Sequence, residues 1–224
     1  MTSRQGKFFA VGVGPGDPEL LTIKAVRTME AADVIAFPAG HIAGTIAGRY
    51  LEGKTTLPLP APMIEAGPAL TRVRRENAER LEDQLRRGND VAFLTVGDPT
   101  IYSTALYLLQ LIRDDGFAVE VVPGVPAFCA AAAALGIALC EEGEALHIFP
   151  GHYQRTAGSL TGTRVFMKAG SVIEEIKAQG KDEDVYYGVT NLGMAGEQLF
   201  RGRESLPAKA GYFTTLIIKE QKKG

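Results

Sequence analysis

Apolar runs of strand length alternate with amphipathic stretches through the first half of the chain. Phe8–Val13, Val34–Phe37, Val91–Thr95 and Ala118–Val122 are mostly apolar, the pattern of strands buried on both faces of a parallel sheet. Thr55–Leu57 is a weaker strand. Helical periodicity fills the intervals. Over Glu19–Ala32 it turns Leu20, Leu21, Ala25, Val26 and Met29 to one face, and Ile42–Leu51 can hold a short helix. Over Pro68–Arg87 the residues Leu70, Val73, Asn77, Leu81 and Leu85 share a side, with Gly88-Asn89 as the cap. Glu76 with Arg80 and Glu82 with Arg86 form i,i+4 pairs on the other faces. Ile101, Ala105, Leu108, Leu109 and Ile112 define a further helix, with Pro99 expected in its first turn, and an apolar helix follows Pro126. Such alternation predicts a parallel sheet with right-handed crossovers.

The texture changes after Leu139. Glu141-Glu142-Gly143-Glu144 is a polar linker that divides the chain into domains 1–140 and 141–224. Beyond it the strands Ala145–Phe149, Arg164–Met167, Asp184–Val189, Glu197–Arg201 and Gly211–Lys219 lie closer together, with one helix at Val172–Gln179. The predicted fold class is α/β with two domains, the first on a parallel sheet and the second on a mixed one. Lys219–Gly224 is expected to fray.

Composition narrows the function classes. The chain has 224 residues, 46% of them hydrophobic and 22% charged, as in ordinary globular domains. A net charge of −2 argues against a nucleic-acid partner. The richest apolar stretch, Val125–Leu139, is too short for a membrane span, and because residues 1–14 lead straight into a strand no signal peptide is expected. Cys129 and Cys140 show no CxxC spacing, so both are expected to be buried and reduced in a cytoplasmic protein. His41, His147 and His152 are not spaced as metal ligands, and no metal is expected.

Ligands of parallel sheets sit at the carboxyl ends of strands. The first strand ends in Gly12-Val13-Gly14-Pro15-Gly16-Asp17-Pro18, which lacks the Gly-Lys-Ser/Thr of a phosphate loop and the third glycine of a dinucleotide fingerprint. Asp17 at that helix end would repel a phosphate. Taken alone, the loop reads equally as a plain turn. Val96-Gly97-Asp98-Pro99 is more informative. Gly97 permits a tight turn, and Asp98 offers a carboxylate beside approachable backbone, a place to hold a small polar cofactor.

GVGPGDPELLTIKAVRTMEAADVI at residues 12–35 resembles the opening signature of the tetrapyrrole (corrin/porphyrin) methyltransferase family. VGDPTIYST at 96–104 and VVPGVPAFCAAAAALG at 121–136 are similar to its two further signatures, in the same order and spacing. The resemblance implies two α/β domains with S-adenosylmethionine in the cleft between them, and a homodimer. GDPTIYST, Pro60-Ala61-Pro62-Met63 and FCAAAAALGIAL look most like the branch that methylates C20 of precorrin-2 or cobalt-factor II. Uroporphyrinogen III methyltransferases carry an arginine and an acidic pair where this chain has Tyr102-Ser103-Thr104-Ala105-Leu106-Tyr107, so the role of those groups does not transfer.

By the same resemblance the cofactor site includes Pro15, Val96, Gly97, Asp98, Ile101, Pro126, Ala127, Met167 and Gly193, with Thr214 or Thr215 closing it. Tyr102 and then Asp17 are the candidate catalytic groups, and Ser103, Thr104 and Met63 the candidate substrate contacts. Met167 reads equally as core, Gly193 as a turn glycine and Tyr102 as a packed phenol. Arg72, Arg74, Arg75 and Lys168 are cations available to the substrate's carboxylates. The implied reaction is attack of an electron-rich tetrapyrrole carbon on the sulfonium methyl, leaving S-adenosylhomocysteine, followed by loss of a proton from that carbon. The competing readings are another tetrapyrrole methylase of the corrin pathway and a tetrapyrrole carrier that keeps the fold without the transfer.

Overall fold

The computed structural model describes residues 4–40, 42–62, 64, 67–151 and 157–221. His41, Met63 and His152 lie outside them. The chain divides into two compact units, Met1–Pro126 and Ala127–Gly224.

The first unit holds β1 (Phe8–Gly12), β2 (Val34–Pro38), β3 (Thr55–Leu59), β4 (Val91–Thr95) and β5 (Val119–Val122). They form one five-stranded sheet in the order β3-β2-β4-β1-β5, every neighbouring pair parallel. Because side chains alternate along a strand, the sheet has two apolar faces. Phe8, Ala10, Val34, Ala36, Val91 and Phe93 pack under α3 (Pro68–Arg86) and α4 (Ala105–Asp114). Val11, Ile35, Ala92 and Leu94 pack under α1 (Ile23–Ala31) and α2 (Ala43–Ile46). Strand β3 runs on through Pro58 to Leu59, which an edge strand tolerates.

Local hydrogen bonds reshape several expected helices. The one expected over Glu19–Ala32 breaks into a 3-10 turn at Pro18–Leu20 and α1. Asp17 caps the turn by accepting the Glu19 N–H at 2.8 Å, and Thr22 restarts the helix by accepting the Ala25 N–H at 3.1 Å. The stretch Ile42–Leu51 likewise divides into α2 and a 3-10 turn at Gly48–Tyr50. Pro99 is not in the first turn of a helix, since α4 begins only at Ala105.

The second unit opens with α5 (Ala127–Leu135) and holds β6 (Leu146–Pro150), β7 (Thr163–Met167), α6 (Ile173–Gln179), β8 (Val185–Thr190), β9 (Gln198–Arg201) and β10 (Thr214–Lys219). Its sheet runs β6-β7-β10-β8-β9 and is mixed: β6 and β7 are parallel and the other pairs antiparallel. The division falls ahead of the expected polar linker because α5 packs on β8 and β10. Cys129 lies on the outer side of α5 and Cys140 in the following loop, so both free thiols are exposed rather than buried. The expected fraying does not begin at Lys219. Its ammonium donates to the Ala138 carbonyl at 2.7 Å, and Glu220 accepts from Lys181 Nζ at 2.9 Å.

A charged pair is built into this sheet. The Arg164 and Asp184 side chains, 1% and 0% exposed, meet at 2.6 Å, and Asp184 also accepts the Lys181 N–H at 2.8 Å. Removing one charge strands the other in a medium that solvates it poorly. Asp184→Asn is therefore expected to cost about 3–5 kcal/mol, read from urea unfolding at neutral pH. A loss below about 1 kcal/mol, the range of a surface pair, would show the guanidinium to be solvated after all.

Candidate functional site

The carboxyl ends of β1, β4 and β5 meet as bare backbone. The Gly97 N–H donates to the Gly14 carbonyl at 2.7 Å, and the Val13 N–H donates to Thr95 O at 2.9 Å. A Cβ added at Gly124 would stand 2.2 Å from Gly97 O, and one at Gly12 2.6 Å from the same atom. Any side chain there pushes the loops apart. Gly97 itself sits at φ 75°, the left-handed region that glycine enters without strain.

Asp98 fastens the junction. The residue is 9% exposed, and its Oδ2 accepts the Gly124 N–H at 3.0 Å. Oδ1 accepts the Thr100 N–H at 2.8 Å and the Thr100 hydroxyl. The carboxylate expected to greet a cofactor is thus turned inward, joining the β4 loop to the β5 loop. What it leaves for a ligand is ordered backbone around Val96, Gly97 and Ile101, with the half-buried Val96 and Ile101 side chains as apolar surface. Pro15 is buried behind this junction, and Pro126 and Ala127 straddle the division between the units.

The loop continues into strained backbone. Tyr102 has φ 47° and is 45% exposed. A non-glycine residue in that region costs on the order of 1 kcal/mol or more and persists only where its neighbours hold it. They do so on both sides. Before it stands the Asp98–Thr100 turn, and after it Ser103 shares a hydrogen bond with Thr95 Oγ1 at 2.9 Å and accepts the Ala105 N–H at 3.1 Å. Ser103 therefore braces the loop, while Thr104 is exposed and its carbonyl starts α4 by accepting the Tyr107 N–H at 3.1 Å. Asp17 caps its own turn, as described above.

The remaining predicted residues lie in the second unit. Met167 is half-buried at the end of β7, opposite Thr215. Thr214 is 2% exposed, donates its hydroxyl to Gly211 O at 2.7 Å and lies 3.2 Å from the Thr190 hydroxyl. Gly193 is an exposed turn residue at φ 70° whose N–H donates to Glu197 at 2.6 Å. The sequence reading missed Thr95, Thr100 and the junction role of Gly12 and Gly124. A glycine after each strand was the available signal, but a glycine needed for close approach looks like any turn glycine.

The candidate cations differ in how far they are engaged. Arg75 forms ion pairs with Glu79 at 3.4 Å, Glu82 at 2.7 Å and Asp115. Its hydrogen bond to Asp115 raises the pKa of Arg75, and burial raises that of Glu82. Arg74 instead lies over the Tyr107 ring, and Lys168 Nζ is 5.6 Å from the Tyr212 centroid. A hollow of about 530 Å³ lies along α1, lined by Phe9, Ile23, Lys24 and Arg27 among others, away from the junction. Among the described residues no group of His, Cys, Asp and Glu is arranged to hold a metal.

Residues 7–207 match the family model for tetrapyrrole (corrin/porphyrin) methylases. A protein of Methanocaldococcus jannaschii described as a probable cobalt-precorrin-2 C(20)-methyltransferase is 41% identical over 149 residues, which take in 64% of this chain and 64% of that protein. The chain thus spans just under two thirds of that relative's length. The cobalt-precorrin-2 C(20)-methyltransferase of Salmonella typhimurium is 29% identical across 96% of this chain and 97% of its own. Among solved structures, the uroporphyrin-III-C-methyltransferase of Thermus thermophilus superposes with a TM-score of 0.74 at 26% identity, covering 96% of this chain and 92% of that one.

If Asp98 is a tie between loops, Asp98→Asn replaces one acceptor with an amide donor facing another donor. The substitution is expected to cost about 1–3 kcal/mol of stability, measured by urea unfolding, with a parallel loss of S-adenosylhomocysteine affinity by calorimetry. Unchanged stability alongside lost affinity would instead make Asp98 a direct ligand contact.

Proposed function

The chain belongs to the tetrapyrrole (corrin/porphyrin) methylase family, and we propose that it is an S-adenosylmethionine-dependent C-methyltransferase of cobalamin biosynthesis. Its substrate in this reading is precorrin-2 or cobalt-factor II, methylated at C20. The names of the Methanocaldococcus and Salmonella relatives support the choice of substrate, as does the GDPTIYST stretch. The carrying observation is the glycine junction closed by Asp98. It leaves backbone donors and acceptors fixed in space at the carboxyl end of a parallel sheet, the end where such sheets hold their ligands, with the loops packed too closely to admit a Cβ between them.

S-adenosylmethionine brings a methyl group on a sulfonium, already an excellent leaving group, so the chain need supply no strong activating base. Its own contribution is placement. Backbone at Val96, Gly97 and Ile101 orients the cofactor, and apolar surface from Val96 and Ile101 keeps water away. Tyr102 offers a hydroxyl group at the reacting face, and its strained backbone sets where the residue leaves the loop. Holding the reacting atoms near contact is worth several kcal/mol by itself. Asp17 is less suited to this role, because its carboxylate already caps a turn.

The sequence resemblance also supports a cytoplasmic homodimer. Among the described residues no helix is long and apolar enough to cross a membrane.

Anaerobic incubation with S-adenosylmethionine and either metal-free precorrin-2 or cobalt-factor II, followed by mass spectrometry, tests the reading. One added methyl group on one of the two substrates is expected. Tight binding of the tetrapyrrole with no mass gain would favour the carrier.

A further inference from the structure

Arg74 differs from Arg75 and Arg86 on α3 in what it meets. Arg75 is taken up by Glu79, Glu82 and Asp115, and Arg86 by Glu82 and Asp83. Arg74 makes no ion pair or hydrogen bond to another side chain among the described residues. Its guanidinium carbon lies 3.8 Å from the centroid of the Tyr107 ring, and its Nε is buried without a partner. The ring beneath is 54% exposed. A guanidinium resting on a ring face is desolvated on that side, yet its edge keeps N–H donors arranged for the two oxygens of a carboxylate.

Its place in the fold gives the stack a use. Helix α3 follows the loop after β3 and α4 the loop after β4, so both helices begin at the carboxyl edge of the parallel sheet. Arg74 is in the second turn of α3 and Tyr107 in the first turn of α4, a few residues beyond Tyr102. Asn77, one turn on from Arg74, donates to the Pro60 carbonyl at 2.8 Å and fixes the start of the Pro60–Pro62 segment to the same helix.

We propose that Arg74, held over Tyr107, binds a side-chain carboxylate of the tetrapyrrole and thereby fixes the macrocycle's orientation beside the β4 loop. The inference rests on the tetrapyrrole reading above. Tyr107 acts as a positioning residue: its ring face, not its hydroxyl, holds the guanidinium before substrate arrives. The carboxylate meets the terminal N–H groups of the guanidinium, since the Nε is buried.

The test is anaerobic titration of precorrin-2 into the full chain carrying S-adenosylhomocysteine, followed by absorbance. Arg74→Ala is expected to raise the dissociation constant about tenfold or more, the cost of a lost charge-assisted hydrogen bond. Arg74→Lys, which keeps the charge and loses the fork, should fall between it and the wild type. Tyr107→Leu should weaken binding, while Tyr107→Phe should leave it near wild type. S-adenosylhomocysteine affinity, unchanged in all four variants, confirms that the fold and the cofactor loops survive. Equal precorrin-2 binding by wild type and Arg74→Ala overturns the inference and leaves the methylase reading standing. If the wild type binds neither precorrin-2 nor cobalt-factor II in the same titration, the tetrapyrrole reading falls and the inference with it.

Discussion

Gly12, Gly97 and Gly124 come so close that a single methyl group on Gly124 would overlap the Gly97 carbonyl oxygen, at 2.2 Å. The carboxyl ends of β1, β4 and β5 can meet only as backbone, and the rest of the site follows from that contact. With no side chains between the loops, the Gly97 N–H reaches Gly14 O and the Asp98 carboxylate reaches Gly124 N–H. Asp98 also orders Thr100, which sets the path into Tyr102 and the Thr95–Ser103 bond. A ligand arriving there meets groups that have already lost their conformational freedom.

Much of the first unit is legible in the sequence because buried parallel strands leave an unmistakable trace. Runs such as Val91–Thr95 must be apolar on both sides, and the intervening helices must show one apolar face. Interruptions by side-chain caps are harder to see. Thr22 looks like any helical threonine until its hydroxyl accepts the Ala25 N–H, and Asp17 looks free until it caps Glu19. Of the candidate site, the motif loops were visible as glycine and proline punctuation. The direction of Asp98 was not, because its partners are backbone donors with no letter in the sequence.

Long-range pairing explains the other differences. Periodicity marks Arg72, Arg74 and Arg75 as neighbours on one helix, and only their surroundings separate them. Asp115, at the end of α4, helps to engage Arg75, while Tyr107 at the start of α4 receives Arg74. The polar linker at residues 141–144 reads as a boundary, but α5 just before it packs on β8 and β10, and the compact unit starts there. Arg164 and Asp184 are a pair that no local pattern announces, since one stands in β7 and the other just ahead of β8, and they meet only in the folded unit.

The central claim, that the glycine junction and its tie form the cofactor cradle, is tested most directly by amide hydrogen exchange with and without S-adenosylhomocysteine. The account predicts slowed exchange in peptides covering residues 12–16, 96–104 and 123–126, with little change along α1 or the hollow beside it. Protection confined to α1, with the junction peptides unchanged, would contradict it.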